Sequence, residues 1–208
     1  MKRLAIIGSG DLGQLIAFHA SHTYEVVGFF NDYKTTNDTV NGFQILGKVS
    51  DIREIYKNDV FDELIIGIGY KHFAVRKALF NDFNKDIPFA NVIHPSAYID
   101  KSCSLGKGLV ILPGCTLDRN VTLHDNVLLN TGCIIAHDSE VKKHSFLSPG
   151  VTIAGFVSVG ECCNIGIGTV IIDSIIIENN IQTGGGTVVI NNLSKNGLYV
   201  GNPSRFIR

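Results

Sequence analysis

His137 and Asp138 are the pair in this chain best suited to moving a proton. They lie in Asn130-Thr131-Gly132-Cys133-Ile134-Ile135-Ala136-His137-Asp138-Ser139, where polar residues interrupt an aliphatic stretch. A neutral imidazole at a surface groove is a competent general base near neutral pH. A neighbouring carboxylate raises its basicity by stabilising the imidazolium. Adjacent residues on a regular strand face opposite ways, so Asp138 can act on His137 only where the chain bends. The position just past Ile135, between two rungs, offers that bend. The alternative is a solvated turn histidine followed by a cap-like aspartate.

A second cluster can hold phosphate. Gly8-Ser9-Gly10-Asp11-Leu12-Gly13 has the form G-x-G-x-x-G between an apolar strand and a helical pattern. Such a turn lets the backbone approach a phosphate at a helix N-terminus. Asp32 closes the second strand, where a carboxylate can bond a ribose hydroxyl. The domain is short for a full dinucleotide fold, so a single-nucleotide site is expected, built from Gly10, Asp11, Leu12, Asn31, Asp32 and Gly69. The alternative is glycine serving only tight strand-to-helix packing.

Metal chemistry is not expected. His124, His137 and His144 could meet on stacked rungs, but their spacing does not match the zinc enzymes built on such repeats. Cys103, Cys115, Cys133 and Cys163 each stand two residues before an aliphatic repeat position, which turns them inward as small apolar groups; Cys162 completes the five. No C-x₂-C pair suggests zinc.

The elements that position these groups fall into two halves. From Ile99 every sixth residue is aliphatic: Leu105, Ile111, Leu117, Leu123, Leu129, Ile135, Val141, Leu147, Ile153, Val159, Ile165, Ile171 and Ile177 follow. No helix has a period of six and a plain strand has two, so the pattern specifies a β-solenoid of short rungs. The repeat is expected to run to about Val189, with an irregular tail over 191–208. Before it, strands at Lys2–Ile7, Tyr24–Phe30 and Glu63–Ile68 alternate with helical patterns through His19, from Ser50-Asp51 to Tyr56, and over Tyr70–Phe83. A small strand is expected at Ile45–Leu46 and a last one at Phe89–Ile93. This alternation specifies a small parallel sheet of Rossmann-like type. His94-Pro95-Ser96 marks the boundary, giving units of 1–94 and 95–208.

The 208 residues carry a net charge of −1 with no basic run, which argues against a nucleic-acid partner. The start Met1-Lys2-Arg3-Leu4-Ala5-Ile6-Ile7-Gly8 is too short an apolar stretch for a signal peptide, and no run approaches a membrane span. A cytoplasmic location is expected.

These residues carry a resemblance. Ile93-His94-Pro95-Ser96-Ala97, Asn130-Thr131, His137-Asp138-Ser139, Ser148-Pro149-Gly150 and Val200-Gly201-Asn202-Pro203-Ser204 together resemble the sialic acid O-acetyltransferase and bacillosamine-type N-acetyltransferase family of bacterial sugar acetyltransferases. The resemblance implies a nucleotide-sugar domain followed by a left-handed parallel β-helix of hexapeptide repeats. It implies a homotrimer with acetyl-CoA in a groove between neighbouring β-helices. It matches His137 to the family's catalytic base, Asp138 to the acid that tunes it, and Gly155 to the glycine whose N–H faces the thioester carbonyl. Ile167 and Gly185 match groove positions. The chain departs from the family at Leu12 and Phe146, where histidines are usual, so stacking or apolar packing at Phe146 is expected to serve the coenzyme.

The implied reaction is acetyl transfer from acetyl-CoA to the 4-amino group of a nucleotide-linked sugar, by direct attack. Ser139 faces inward and is not expected to be a nucleophile. A sugar hydroxyl as acceptor is the alternative; a non-catalytic trimeric scaffold and a nicotinamide-dependent oxidoreductase are the competing classes.

Overall fold

The computed structural model describes all residues 1–208, and the chain divides into two compact units, Met1–Val92 and Ile93–Arg208. No helix is long and apolar enough to cross a membrane.

The first unit is a five-stranded sheet. Its elements are β1 (Arg3–Ile7), α1 (Asp11–Ala20), β2 (Glu25–Phe30), β3 (Thr39–Val40), β4 (Phe43–Gly47), α2 (Ile52–Lys57), β5 (Glu63–Ile66) and α3 (Phe73–Phe83). The strand order is β3-β4-β2-β1-β5, with β4, β2, β1 and β5 parallel. Leu4 to Ile7 and Leu64 to Ile66 are buried, as strands covered on both faces must be. Arg3 and Asp62 lock the N-terminal ends of β1 and β5: Arg3 donates from Nη2 to Oδ1 at 2.7 Å and from its amide to Oδ2 at 2.7 Å.

The glycine turn is required by packing as well as by any ligand. A Cβ on Gly13 would stand 2.0 Å from the Gly8 carbonyl oxygen. Gly8 itself has φ +98°, open mainly to glycine. At Gly10, by contrast, a Cβ would meet nothing within 4 Å.

The expected helix over Tyr70–Phe83 is split. Tyr70–His72 is one 3₁₀ turn, and α3 starts only at Phe73 because His72 leaves the helical region (φ −130°, ψ 45°). The expected strand at Ile45–Leu46 is the longer β4, which makes a hairpin with β3 through Asn41-Gly42. Both turn residues have positive φ (49° and 84°), the signature of an Asn-Gly hairpin turn. The strand expected over Phe89–Ile93 reduces to one bridge at Phe89 and a two-residue strand, Val92–Ile93.

The second unit is a left-handed β-helix whose two-residue rungs stack in parallel on three faces. The first face holds Tyr98–Ile99, Thr116–Leu117, Ile134–Ile135, Thr152–Ile153, Val170–Ile171 and Val188–Val189. The second runs from Ser104–Leu105 to Ile176–Ile177 through Glu140–Val141. The third carries Val110–Ile111, Leu128–Leu129, Phe146–Leu147 and Asn164–Ile165. Partners are eighteen residues apart, as in Thr116↔Ile134, so three hexads make one coil. The second residue of each rung points inward, and these aliphatics form one continuous core with Cys115, Cys133 and Cys163.

Past the first coil, the corners turn through one residue in the left-handed region. Between the third and first faces it is glycine: Gly114, Gly132, Gly150, Gly168 and Gly186. At the corner between the first and second faces it is Asn120, Asp138, Phe156 and Ser174, with φ from 58° to 61°. Asn and Asp tolerate this conformation best among residues with a Cβ.

The tail is not irregular as expected. Gly197–Val200 pairs in parallel with Ile181–Thr183, and Arg205–Phe206 folds back antiparallel on it, so the third face continues to the C-terminus.

Candidate active site at a solenoid corner and a nucleotide cleft

His137 leaves the first face just after Ile135, and Asp138 makes the corner with φ 58°. That left-handed residue supplies the bend which a regular strand lacks. It brings Asp138 Oδ2 to 2.9 Å from His137 Nδ1. A carboxylate only accepts, so the neutral ring carries its proton on Nδ1 and presents a basic Nε2. The other oxygen, Oδ1, accepts from Asn120 Nδ2 at 2.9 Å, one coil earlier. The Asn120 amide, then His137 and the more distant charge of Arg119, hold the Asp138 carboxyl below the usual carboxylate range.

Gly155 lies one coil above His137. A Cβ there would stand 2.7 Å from His137 Cε1 and 3.0 Å from Nε2, so the imidazole packs on bare backbone. The Gly155 carbonyl accepts from Ser174 at 3.0 Å, whereas its N–H has no acceptor in the chain. The Phe156 and His137 rings meet edge to face, with centroids 5.2 Å apart at 85°.

The other nucleophile candidates are occupied. Ser139 is 2 % exposed, donates to the Ala154 carbonyl at 3.0 Å and accepts from the Val157 amide at 3.1 Å. Cys115, Cys133 and Cys163 are buried, and burial pushes the Cys163 thiol up to about 12. Cys103, in the first coil, is only half-buried. His124 and His144 belong to the corner between the second and third faces: His124 faces Glu140 at 3.5 Å, and buried His144 bonds Asn126 at 3.0 Å.

Of the expected coenzyme residues, three border the first face. Gly155 is at one edge. Ile167, 60 % exposed, and Gly185 stack at the other, where a Cβ on Gly185 would stand 3.0 Å from Ile167 Cγ2. Between the edges the face presents Ile134, Thr152 and Val170 outward. Phe146 does not join them. It is half a coil past His137, points outward from the third face, and is 5 % exposed.

The first unit holds a cleft of about 640 Å³ at the C-terminal ends of β1, β2 and β5. All six expected residues line it: Gly10, Asp11, Leu12, Asn31, Asp32 and Gly69. Asn31 ties its loop to the glycine turn by donating to Ser9 Oγ at 2.6 Å, while its own oxygen accepts from the Tyr33 amide at 2.8 Å. Asp32 Oδ1 accepts from the Val49 amide at 2.9 Å and leaves Oδ2 without a partner in the chain. Gly10 caps α1 with no side-chain bond, so the amides of the first helical turn are available to an anion. Sequence reasoning missed Tyr33, Tyr70, Lys71 and His72, which also line the cleft. Tyr33 is 97 % exposed. An aromatic so near Asp32 was the available signal, while the Tyr70–His72 turn was hidden inside an apparently continuous helix.

Residues 3–83 match the family described as the PglD N-terminal domain. None of the curated proteins matches the chain. Among solved structures, PerB from Caulobacter crescentus in complex with CoA and GDP-perosamine is similar at 25% identity and TM-score 0.92, covering 100% of this chain and 98% of that one. The H-to-N variant of perosamine N-acetyltransferase from the same organism, with CoA and GDP-perosamine, is similar at 24% and TM-score 0.92, covering 100% and 98%. The acetyltransferase domain of PglB from Neisseria gonorrhoeae, in complex with acetyl coenzyme A, is similar at 24% and TM-score 0.92, covering 99% of each chain. These matches bear out the resemblance to sugar acetyltransferases read from the sequence.

Proposed function

We propose that this protein is an acetyl-CoA-dependent N-acetyltransferase acting on the 4-amino group of a nucleotide-linked sugar. The observation that carries this reading is the corner at His137, where a carboxylate-held imidazole packs on a glycine whose N–H is unengaged. PerB, which has this fold over its length, was solved with CoA and GDP-perosamine.

His137 Nε2 takes a proton from the amine as the nitrogen attacks the thioester carbonyl. The Nδ1 proton stays on the ring, and Asp138 balances the imidazolium charge. The Gly155 N–H faces the carbonyl oxygen as negative charge builds there. The new C–N bond forms, the C–S bond breaks, and His137 returns the proton to the departing thiolate. No acyl-enzyme is needed, in keeping with the occupied Ser139 and buried thiols. Ile167, Gly185 and the apolar first face suit the pantetheine arm.

Residues 1–94 bind the nucleotide, with the α1 N-terminus at its nucleoside-side phosphate and Asn31 and Asp32 at the ribose, and residues 95–208 perform the transfer. The protein acts as a homotrimer: Ile134, Phe156, Val170 and Ile172 are exposed around the His137 corner, an apolar strip that a neighbouring copy would cover. Its location is cytoplasmic, in keeping with five cysteines and no disulfide.

The test is thiol release from acetyl-CoA against a panel of UDP-, GDP- and dTDP-linked 4-amino sugars. One member of the panel is turned over. Absence of thiol release with every member, together with no acetyl-CoA binding by calorimetry, overturns the reading.

A further inference from the structure

The corner that holds His137 continues downward as a column of cations. Positions eighteen residues apart stack there: Lys101, Arg119, His137, Gly155 and Asp173. Backbone bonds fix the register, since Asp138 N–H donates to the Arg119 carbonyl at 3.0 Å and Phe156 N–H to the His137 carbonyl at 3.1 Å. Successive coils lie about 5 Å apart, so the Arg119 backbone is one rung from the general base.

Arg119 is exposed, and its guanidinium makes no hydrogen bond or ion pair with the chain. The acids beside it are engaged elsewhere. Asp118 Oδ1 accepts from the Arg119 backbone amide at 2.7 Å. Asp100 Oδ1 accepts from the Ser102 amide at 2.9 Å and hydroxyl at 2.6 Å. Asp138, on the next rung, is held by Asn120 and His137. Lys101 is likewise exposed and in no ion pair. A free guanidinium fits a phosphate in two-pronged fashion.

Two phosphate-bearing substrates enter this reaction, and distance chooses between them. The phosphates of the coenzyme lie at the far end of its pantetheine arm, many bonds from the thioester. The phosphate on the sugar's anomeric carbon is separated from the 4-amino group only by the width of one ring. A group one rung from His137 is within reach of the second and not of the first.

We propose that Arg119, extended by Lys101, binds the phosphate on the anomeric carbon of the acceptor and so sets how the amine is presented to His137. This inference rests on the acetyl-transfer reading above. It makes the solenoid itself a reader of the glycosyl phosphate.

The test compares wild type, Arg119→Ala, Arg119→Lys and Lys101→Ala with the nucleotide sugar from the panel that wild type acetylates best. Arg119→Ala is expected to raise the acceptor KM about 10- to 100-fold, the factor given by one or two charge-assisted hydrogen bonds. The acetyl-CoA KM and the melting temperature stay unchanged, Arg119→Lys recovers part of the loss, and Lys101→Ala has a smaller effect of the same kind. Calorimetric titration of the same nucleotide sugar, without acetyl-CoA, shows the same weakening. An unchanged acceptor KM in Arg119→Ala, or a rise in the acetyl-CoA KM instead, overturns the proposal and leaves the acetyl-transfer reading standing. A wild type inert toward the whole panel removes the reading and the inference together.

Discussion

Gly155→Ala is the most revealing single substitution. The added methyl would stand 2.7 Å from His137 Cε1, where ordinary contact begins near 3.4 Å. The ring must therefore retreat by about 0.7 Å, and its edge-to-face contact with Phe156 limits where it can go. A retreat of that size stretches the 2.9 Å bond to Asp138 and carries Nε2 off the line to the amine. Misplacement near 1 Å costs up to about 100-fold in rate, so kcat is expected to fall by one to two orders of magnitude. The backbone N–H is kept, so the oxyanion donor is not what is lost. Stability should barely change, because Gly155 has no positive φ and the neighbour that moves is a half-exposed side chain. The assay is thiol release at saturating acetyl-CoA, paired with a melting curve. A Gly155→Ala protein with near-normal kcat would show that the imidazole's place against the glycine backbone is irrelevant to turnover, and the mechanism would fall.

Replacing His137 with Ala should cut kcat by about 10²- to 10⁴-fold while calorimetry shows unaltered acetyl-CoA binding; retained turnover excludes His137 as base. The Arg3–Asp62 clamp gives a pH signature. The Arg3 guanidinium and amide hold the Asp62 carboxyl at about 2, below its unfolded value, so its contribution is complete above the unfolded value and disappears as pH falls through the folded one. Asp62→Asn should therefore lower the melting temperature at pH 7, and the gap to wild type should narrow between about pH 5 and pH 2. A gap that is constant with pH would mean the pair contributes through shape alone.

Much of this molecule can be read from residue spacing. A sixfold aliphatic period leaves the chain one way to close, and every repeat position from Leu117 to Ile177 is buried as that reading demands. The His137–Asp138 pair was visible too, since only a left-handed residue at 138 could join two neighbours that a strand would separate. Other features were hidden for physical reasons. Phe146, matched to a coenzyme position by the resemblance, stands on the third face, half a coil from His137, and a hexad count alone does not tell that face from the first. The Tyr70–His72 turn interrupts a helix without interrupting its apolar periodicity. The tail joins the third face through Gly197–Val200, a strand outside the repeat and without its hexad aliphatics. The Asn41-Gly42 hairpin carries a legible turn signal, but its strand β3 is only two residues long, too short for alternation to mark it.

The rung spacing also limits how a relative of this protein can grow or shrink. Removing one residue between Ala97 and Val189 would turn the inner side of every later rung outward and displace each corner from the residue able to make it. Removing a whole coil would keep both. Heritable change in the length of the prism is thus confined to steps of eighteen, and the coils that cannot be given up are those carrying the imidazole and the glycine it rests on.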